Sequence, residues 1–248
     1  MASVIDKAKN VLSSSTKKDG SLPKVLFVLS SHDKMGNLDK PTGWYLPEFA
    51  HPYYKLEGKA DIVIASPKGG KAPLDPSSVE GFKEDAEAVK FLNEKEALWS
   101  NTQKLGDFVG KANSFDAIFY VGGHGPMFDL ATDPVSHTVI KEFYESGKVV
   151  SAVCHGPAAF VNVKLSDGSY LVAGQEVTGF TNDEEDQAQL SSAMPFMLET
   201  ELAARGGKVV KADPWAAKVV KSGKGNKLIT GQNPASAAPI GEAILAAI

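Results

Sequence analysis

The chain has 248 residues, of which 43% are hydrophobic and 23% charged. That composition suits a globular protein and excludes a disordered chain, a collagen-like repeat and a disulfide scaffold. With 30 acidic and 26 basic residues the formal net charge is -4, which argues against the clustered positive footprint of a nucleic-acid binder. No apolar run approaches the ~20 residues that cross a bilayer, so no membrane partner is expected either. Arg205 is the sole arginine, which leaves little scope for a site built on bidentate arginine clamps. Cys154 is the sole cysteine, so no intramolecular disulfide can form. Met1 to Lys18 lacks the apolar core of a signal peptide, the C-terminal residues carry no sorting address, and the expected compartment is the reducing cytoplasm.

In chain order, residues 3–13 place apolar side chains at helical spacing, and a polar linker follows. Residues 1–22 therefore read as an N-terminal extension, and residues 23–248 as a single domain. Residues 24–30 form a continuous apolar run ending in small polar residues, the pattern of a strand buried on both faces of a parallel sheet. A helix is predicted over 48–57, a strand over 61–65, and an insertion over about 71–112 with helical stretches near 79–93 and 102–112. A strand over 115–121 runs into Gly122, Gly123, His124 and Gly125. A helix over 135–146 leads to a strand over 148–153, then Cys154, His155, Gly156 and Pro157, and an alanine-rich helix. Further strands are predicted at 176–178, 208–210 and 227–230, and further helices at 184–192, 196–204 and 235–247. Strands alternating with helices imply an α/β fold with a doubly wound, mostly parallel sheet.

In such sheets ligands bind beyond the carboxyl ends of the strands. Cys154 sits there, between a strand and a helix start, in the topology of a nucleophile elbow. A helix N-terminus beneath the sulfur would favour thiolate over thiol. His155 can serve as a base, or as a cation that lowers the thiol pKa. The N–H of His155 and that of Gly123, which has no side chain to block an approach, could form an oxyanion hole. Glu48 reads, on pattern alone, as a first-turn carboxylate stabilised by a helix dipole. Glu184 and Glu185 read as part of a solvated acidic run opening a helix. Trp44, Tyr45, Phe180, Met194 and Trp215 are candidates to line a pocket.

At Ala152-Val153-Cys154-His155-Gly156-Pro157 the chain resembles the DJ-1/ThiJ/PfpI superfamily, and within it the Hsp31-like fungal glutathione-independent glyoxalases (glyoxalase III). Further matching motifs are Thr42-Gly43 through Glu48 to His51-Pro52, Ser66-Pro67 with Gly69-Gly70, Gly122 to Gly125, Thr178 to Thr181, Asp213-Pro214-Trp215, and Thr230 to Ser236. The resemblance implies a flavodoxin-like, class I glutamine-amidotransferase-like fold with a small helical insertion. It implies a catalytic triad of Cys154, His155 and an acid. Counting from Thr178 assigns that acid to Glu185, with Glu184 one residue away. It also implies that Glu48 is the carboxylic acid beside the sulfur, with a raised pKa.

The implied activity is that of a lyase converting methylglyoxal, a small 2-oxoaldehyde, to lactate through a hemithioacetal on Cys154, without an organic cofactor. Some bacterial relatives bind a metal through two histidines and a glutamate. Tyr45 stands here for the first histidine, so no metal site of that kind is expected. A homodimer is the usual assembly. Other activities compatible with the resemblance are a stress chaperone acting on misfolded client proteins and a redox-sensing cysteine protein. A cysteine hydrolase fits less well.

Overall fold

The computed structural model describes residues 20–248. The helix expected over 3–13 lies outside them. The secondary structure opens with strand β1 (Lys24–Val28), helix α1 (Leu46–Leu56) and strand β2 (Asp61–Ser66). The expected insertion then holds three short helices, α2 (Pro76–Gly81), α3 (Ala86–Glu94) and α4 (Ala97–Ser100). The stretch expected to be helical over 102–112 differs. It contributes a two-residue strand, β3 (Gln103–Lys104), and a 3-10 turn. Thr102 and Gly70 exchange backbone hydrogen bonds of 2.9 and 2.8 Å, and this pairing draws the segment onto the sheet edge beside β2.

After β4 (Ala117–Tyr120), α5 (Pro134–Glu145) and β5 (Val149–Val153), the predicted alanine-rich helix is only a 3-10 turn over Gly156–Phe160. The chain continues through β6 (Glu176–Val177), α6 (Asn182–Gln187), α7 (Leu198–Ala204), β7 (Lys208–Val209), β8 (Val219–Ser222), β9 (Leu228–Gly231) and α8 (Ala237–Leu245). Seven strands form one sheet in the order β3-β2-β1-β4-β5-β9-β8. All its pairs are parallel except β8 against β9. β6 and β7 pair only with each other. No described helix is long and apolar enough to cross a membrane.

The central strands are buried nearly throughout, as expected of a parallel sheet covered on both faces. α1 packs against α8 and α3, and α5 packs on β4 and β5. An aromatic chain seats α1. Trp44 and Phe49 lie 5.4 Å apart, Phe49 and Phe91 4.6 Å, and Phe91 and Trp99 5.5 Å. The strand order turns back between β1 and β4, the switch point where open α/β sheets place ligands. Gly122 and Gly123 leave β4 at this crevice, and Cys154 leaves the adjacent β5.

Candidate active site

Cys154 adopts φ +59, a left-handed backbone that a side-chain-bearing residue occupies at a cost of roughly 1–3 kcal/mol. Tertiary bonds impose it. The Cys154 N–H donates to Gly231 O at 2.9 Å, and its carbonyl accepts from the Phe180 N–H at 2.9 Å. Gly156 completes the turn, because a Cβ there would meet Tyr120 O at 2.5 Å. The strained elbow turns the sulfur into a cavity of about 210 Å³ shared with Tyr45, Glu48, Gly123, His124, His155, Phe180 and Trp215. Glycine fits this backbone without the Cβ penalty. Cys154→Gly should therefore be more stable than Cys154→Ala by up to ~1 kcal/mol, read from urea midpoints. An alanine variant as stable as the glycine one would mean that the elbow holds no strain.

His155 Nδ1 lies 3.3 Å from the Cys154 sulfur, and its Nε2 lies 2.6 Å from Glu185 Oε2. Burial disfavours ionising Glu185. The charge and hydrogen bonds of His155 and His124 outweigh it and hold the carboxyl well below the ordinary carboxylate range. An ionised carboxylate only accepts, so Nε2 of His155 carries the proton and Nδ1 is left free to accept one from sulfur. Burial first, and the neighbouring His124 second, push His155 below the usual imidazole value, so the ring rests neutral.

Glu185, not Glu184, faces the imidazole. It reaches the site because α6 opens with a capping box in which the Thr181 hydroxyl accepts from the Glu184 N–H at 3.1 Å. Glu184 is fully buried and accepts from five donors. These are the N–H and hydroxyl of Thr181, the Trp215 N–H, and the side-chain amides of Gln232 and Asn233, at 2.8 to 3.2 Å. That network anchors the first turn and aims the next residue at His155.

Sequence pattern alone does not single out His124 as a partner of the triad acid. Its Nε2 donates to Glu185 Oε1 at 2.8 Å, and its ring centroid lies 4.1 Å from that of His155. The available signal was a histidine flanked by glycines directly after a buried strand.

Glu48 enters from the first turn of α1, where Leu46, Pro47 and Phe49 are buried beside it. Neither of its oxygens completes a hydrogen bond of ordinary geometry. The groups nearest to doing so are the Cys154 sulfur and the N–H groups of Gly122 and Gly123. Burial pushes Glu48 well above the usual carboxyl range, so it is a neutral acid beside the sulfur. The approach demands glycine, since a Cβ on Gly122 would stand 2.2 Å from Glu48 Oε2. Gly123 has φ +92, and a Cβ there would meet Gly43 O at 2.4 Å.

The structure corrects the sequence expectation for the sulfur. No α-helix begins beneath it, and burial raises the Cys154 thiol well above its usual value. The resting group is a thiol, and a base must take its proton.

Of the candidate lining residues, Tyr45, Phe180 and Trp215 line the cavity. Trp44 is instead a core residue with its indole N–H on Ala72 O, and Met194 packs against the core. Among the described residues, His124, His155 and Glu185 form the one group whose ligand atoms could close on a metal ion, lying within 4.8 Å of one another. Those atoms are already engaged in the hydrogen bonds above. Burial raises the Tyr45 phenol, so its hydroxyl is neutral.

The family model for the DJ-1/PfpI family matches residues 48–247. The chain is 32% identical over 235 residues to Glyoxalase 3 of Candida albicans, covering 90% of this chain and 98% of that protein. The solved structure of glyoxalase III from the same organism superposes with a TM-score of 0.82 at 30% identity, covering 91% of this chain and 97% of that one. Rapid Encystment Protein 24 KDa of Francisella tularensis superposes with a TM-score of 0.85 at 38% identity, covering 91% and 99%.

Proposed function

The chain belongs to the DJ-1/PfpI family, and on that premise we propose that it is a glutathione-independent glyoxalase, a lyase that converts methylglyoxal and water to lactate. The observation that carries this reading is the relay from the Cys154 sulfur through His155 to Glu185 beside the neutral Glu48. A cavity of about 210 Å³ falls below the ~300 Å³ typical of drug-sized ligands, which suits a small aldehyde.

The reaction follows from the protonation states. His155 Nδ1 takes the thiol proton as sulfur adds to the aldehyde carbon. The Gly123 and His155 N–H groups hold the oxyanion. His155 then returns the proton to that oxygen, leaving a neutral hemithioacetal and a neutral imidazole. Next, His155 removes the hydrogen on the sulfur-bearing carbon while Glu48 protonates the ketone oxygen, giving an enediol. In the following step His155 protonates the second carbon and Glu48 recovers the proton of the first hydroxyl, giving a lactoyl thioester. Water, deprotonated by His155, displaces the sulfur, and lactate leaves. Hydrogen moves from one carbon to its neighbour, and neither oxidant nor reductant is consumed.

The test is direct. Purified protein given methylglyoxal without glutathione should form lactate, and failure to form it removes the proposal. The acid limb of the pH profile follows from the lowered His155. A protonated ring cannot accept the thiol proton, so kcat/KM should rise with pH through a single ionisation lying below the ordinary histidine value of ~6.5. A limb centred above ~7 would contradict a neutral resting imidazole.

A further inference from the structure

Trp215 stands out among the pocket residues. It is 47% exposed, yet it holds a left-handed backbone with φ +67, an arrangement that persists only where surrounding contacts enforce it. Those contacts come from α6, the helix that carries the triad acid. The Trp215 N–H donates to Glu184 Oε1 at 2.8 Å, and its indole N–H donates to Gln187 Oε1 at 2.6 Å. The ring meets Phe180 edge-on at 5.6 Å, and Phe180 lies 4.4 Å from His155.

An aromatic wall thus runs from the surface to the catalytic imidazole, with the apolar Ala188, Leu190 and Pro234 near it, while Lys40 and Ser77 also line the pocket. The cavity, at about 210 Å³, exceeds the ~10–15 Å³ that one water needs by more than tenfold.

We propose that Trp215 is the specificity-determining residue of this pocket and that it admits 2-oxoaldehydes bearing an aryl group beside the ketone. Aromatic pairs gain from edge and offset contacts beyond the area they bury, so the wall rewards an aryl substituent over a methyl one. The inference rests on the glyoxalase reading above. Phenylglyoxal has the same reacting carbons, and the same hydrogen shift followed by addition of water gives mandelate with no added reactant.

The experiment compares kcat/KM for phenylglyoxal and methylglyoxal in the wild-type protein and in three variants. In the wild-type protein phenylglyoxal should be the better substrate. In Trp215→Ala the ratio of the two values should fall about tenfold, mainly through KM for phenylglyoxal. Trp215→Phe should recover most of it. Gln187→Ala, which frees the indole without removing it, should lower the ratio by a smaller factor. Turnover of methylglyoxal with no preference for phenylglyoxal, or a ratio unchanged in Trp215→Ala, overturns this inference and leaves the glyoxalase reading standing. Absence of turnover with either aldehyde overturns both.

Discussion

Replacing Cys154 with alanine should lower lactate formation by roughly 10⁴-fold or more, the scale seen when a covalent nucleophile is removed. The loss should fall on kcat rather than on folding. The residue is small and 4% exposed, so truncation removes one sulfur from the pocket wall. The remaining machinery cannot compensate, because His155 and Glu48 only move protons and need a bound carbon acid to work on. Cys154→Ser tests the same point more severely. An alcohol has a far higher pKa than a thiol and gives an oxygen ester instead of a thioester, so this variant should be nearly as inactive. Lactate formation by Cys154→Ala within tenfold of wild type would require a different nucleophile.

Glu48→Gln should cost roughly 10²–10⁴ in kcat, the usual contribution of a positioned acid–base group, while leaving Cys154 able to form the first adduct. The amide can donate a hydrogen bond but cannot hand over a proton and take it back. The account therefore places the block after addition, at the enediol. In Glu48→Gln the sulfur adduct should accumulate in a rapid quench, whereas in wild type it should turn over. A Glu48→Gln protein with normal kcat would reassign both proton transfers to His155.

The legible parts of the chain share a physical cause. β1, β4 and β5 are covered on both faces, so each is a run of apolar residues bounded by small polar ones, and their limits differ from the expected ones by only a few residues. β8 is an antiparallel edge strand with mixed burial, and its lysine-bearing sequence gave no strand signal. The segment after Cys154 is rich in alanine, a strong helix former, but the elbow and the close approach of Gly156 to β4 hold it as a 3-10 turn.

In the site, Cys154 and His155 could be read because they follow directly from a buried strand. Glu48 and Glu185 could not be read from pattern. A first-turn carboxylate usually faces solvent and stabilises its helix, and only tertiary packing turns these two inward. Resemblance to a family pointed to them, and it also pointed to Glu185 over Glu184. The difference between those neighbours is a capping box, which directs Glu184 to five donors and leaves Glu185 facing the imidazoles. The ionisation of the sulfur differs from the expectation for the same kind of reason. The sequence suggested a helix dipole, while the fold supplies burial and a neighbouring carboxyl group.

The most direct measurement is a rapid quench of the wild-type protein with methylglyoxal, followed by intact mass determination and peptide mapping. The account predicts a transient population heavier by one methylglyoxal, with the added mass on Cys154 and decaying as lactate appears. Steady lactate production with Cys154 unmodified at every time point, under conditions in which the Glu48→Gln adduct is also absent, would contradict it.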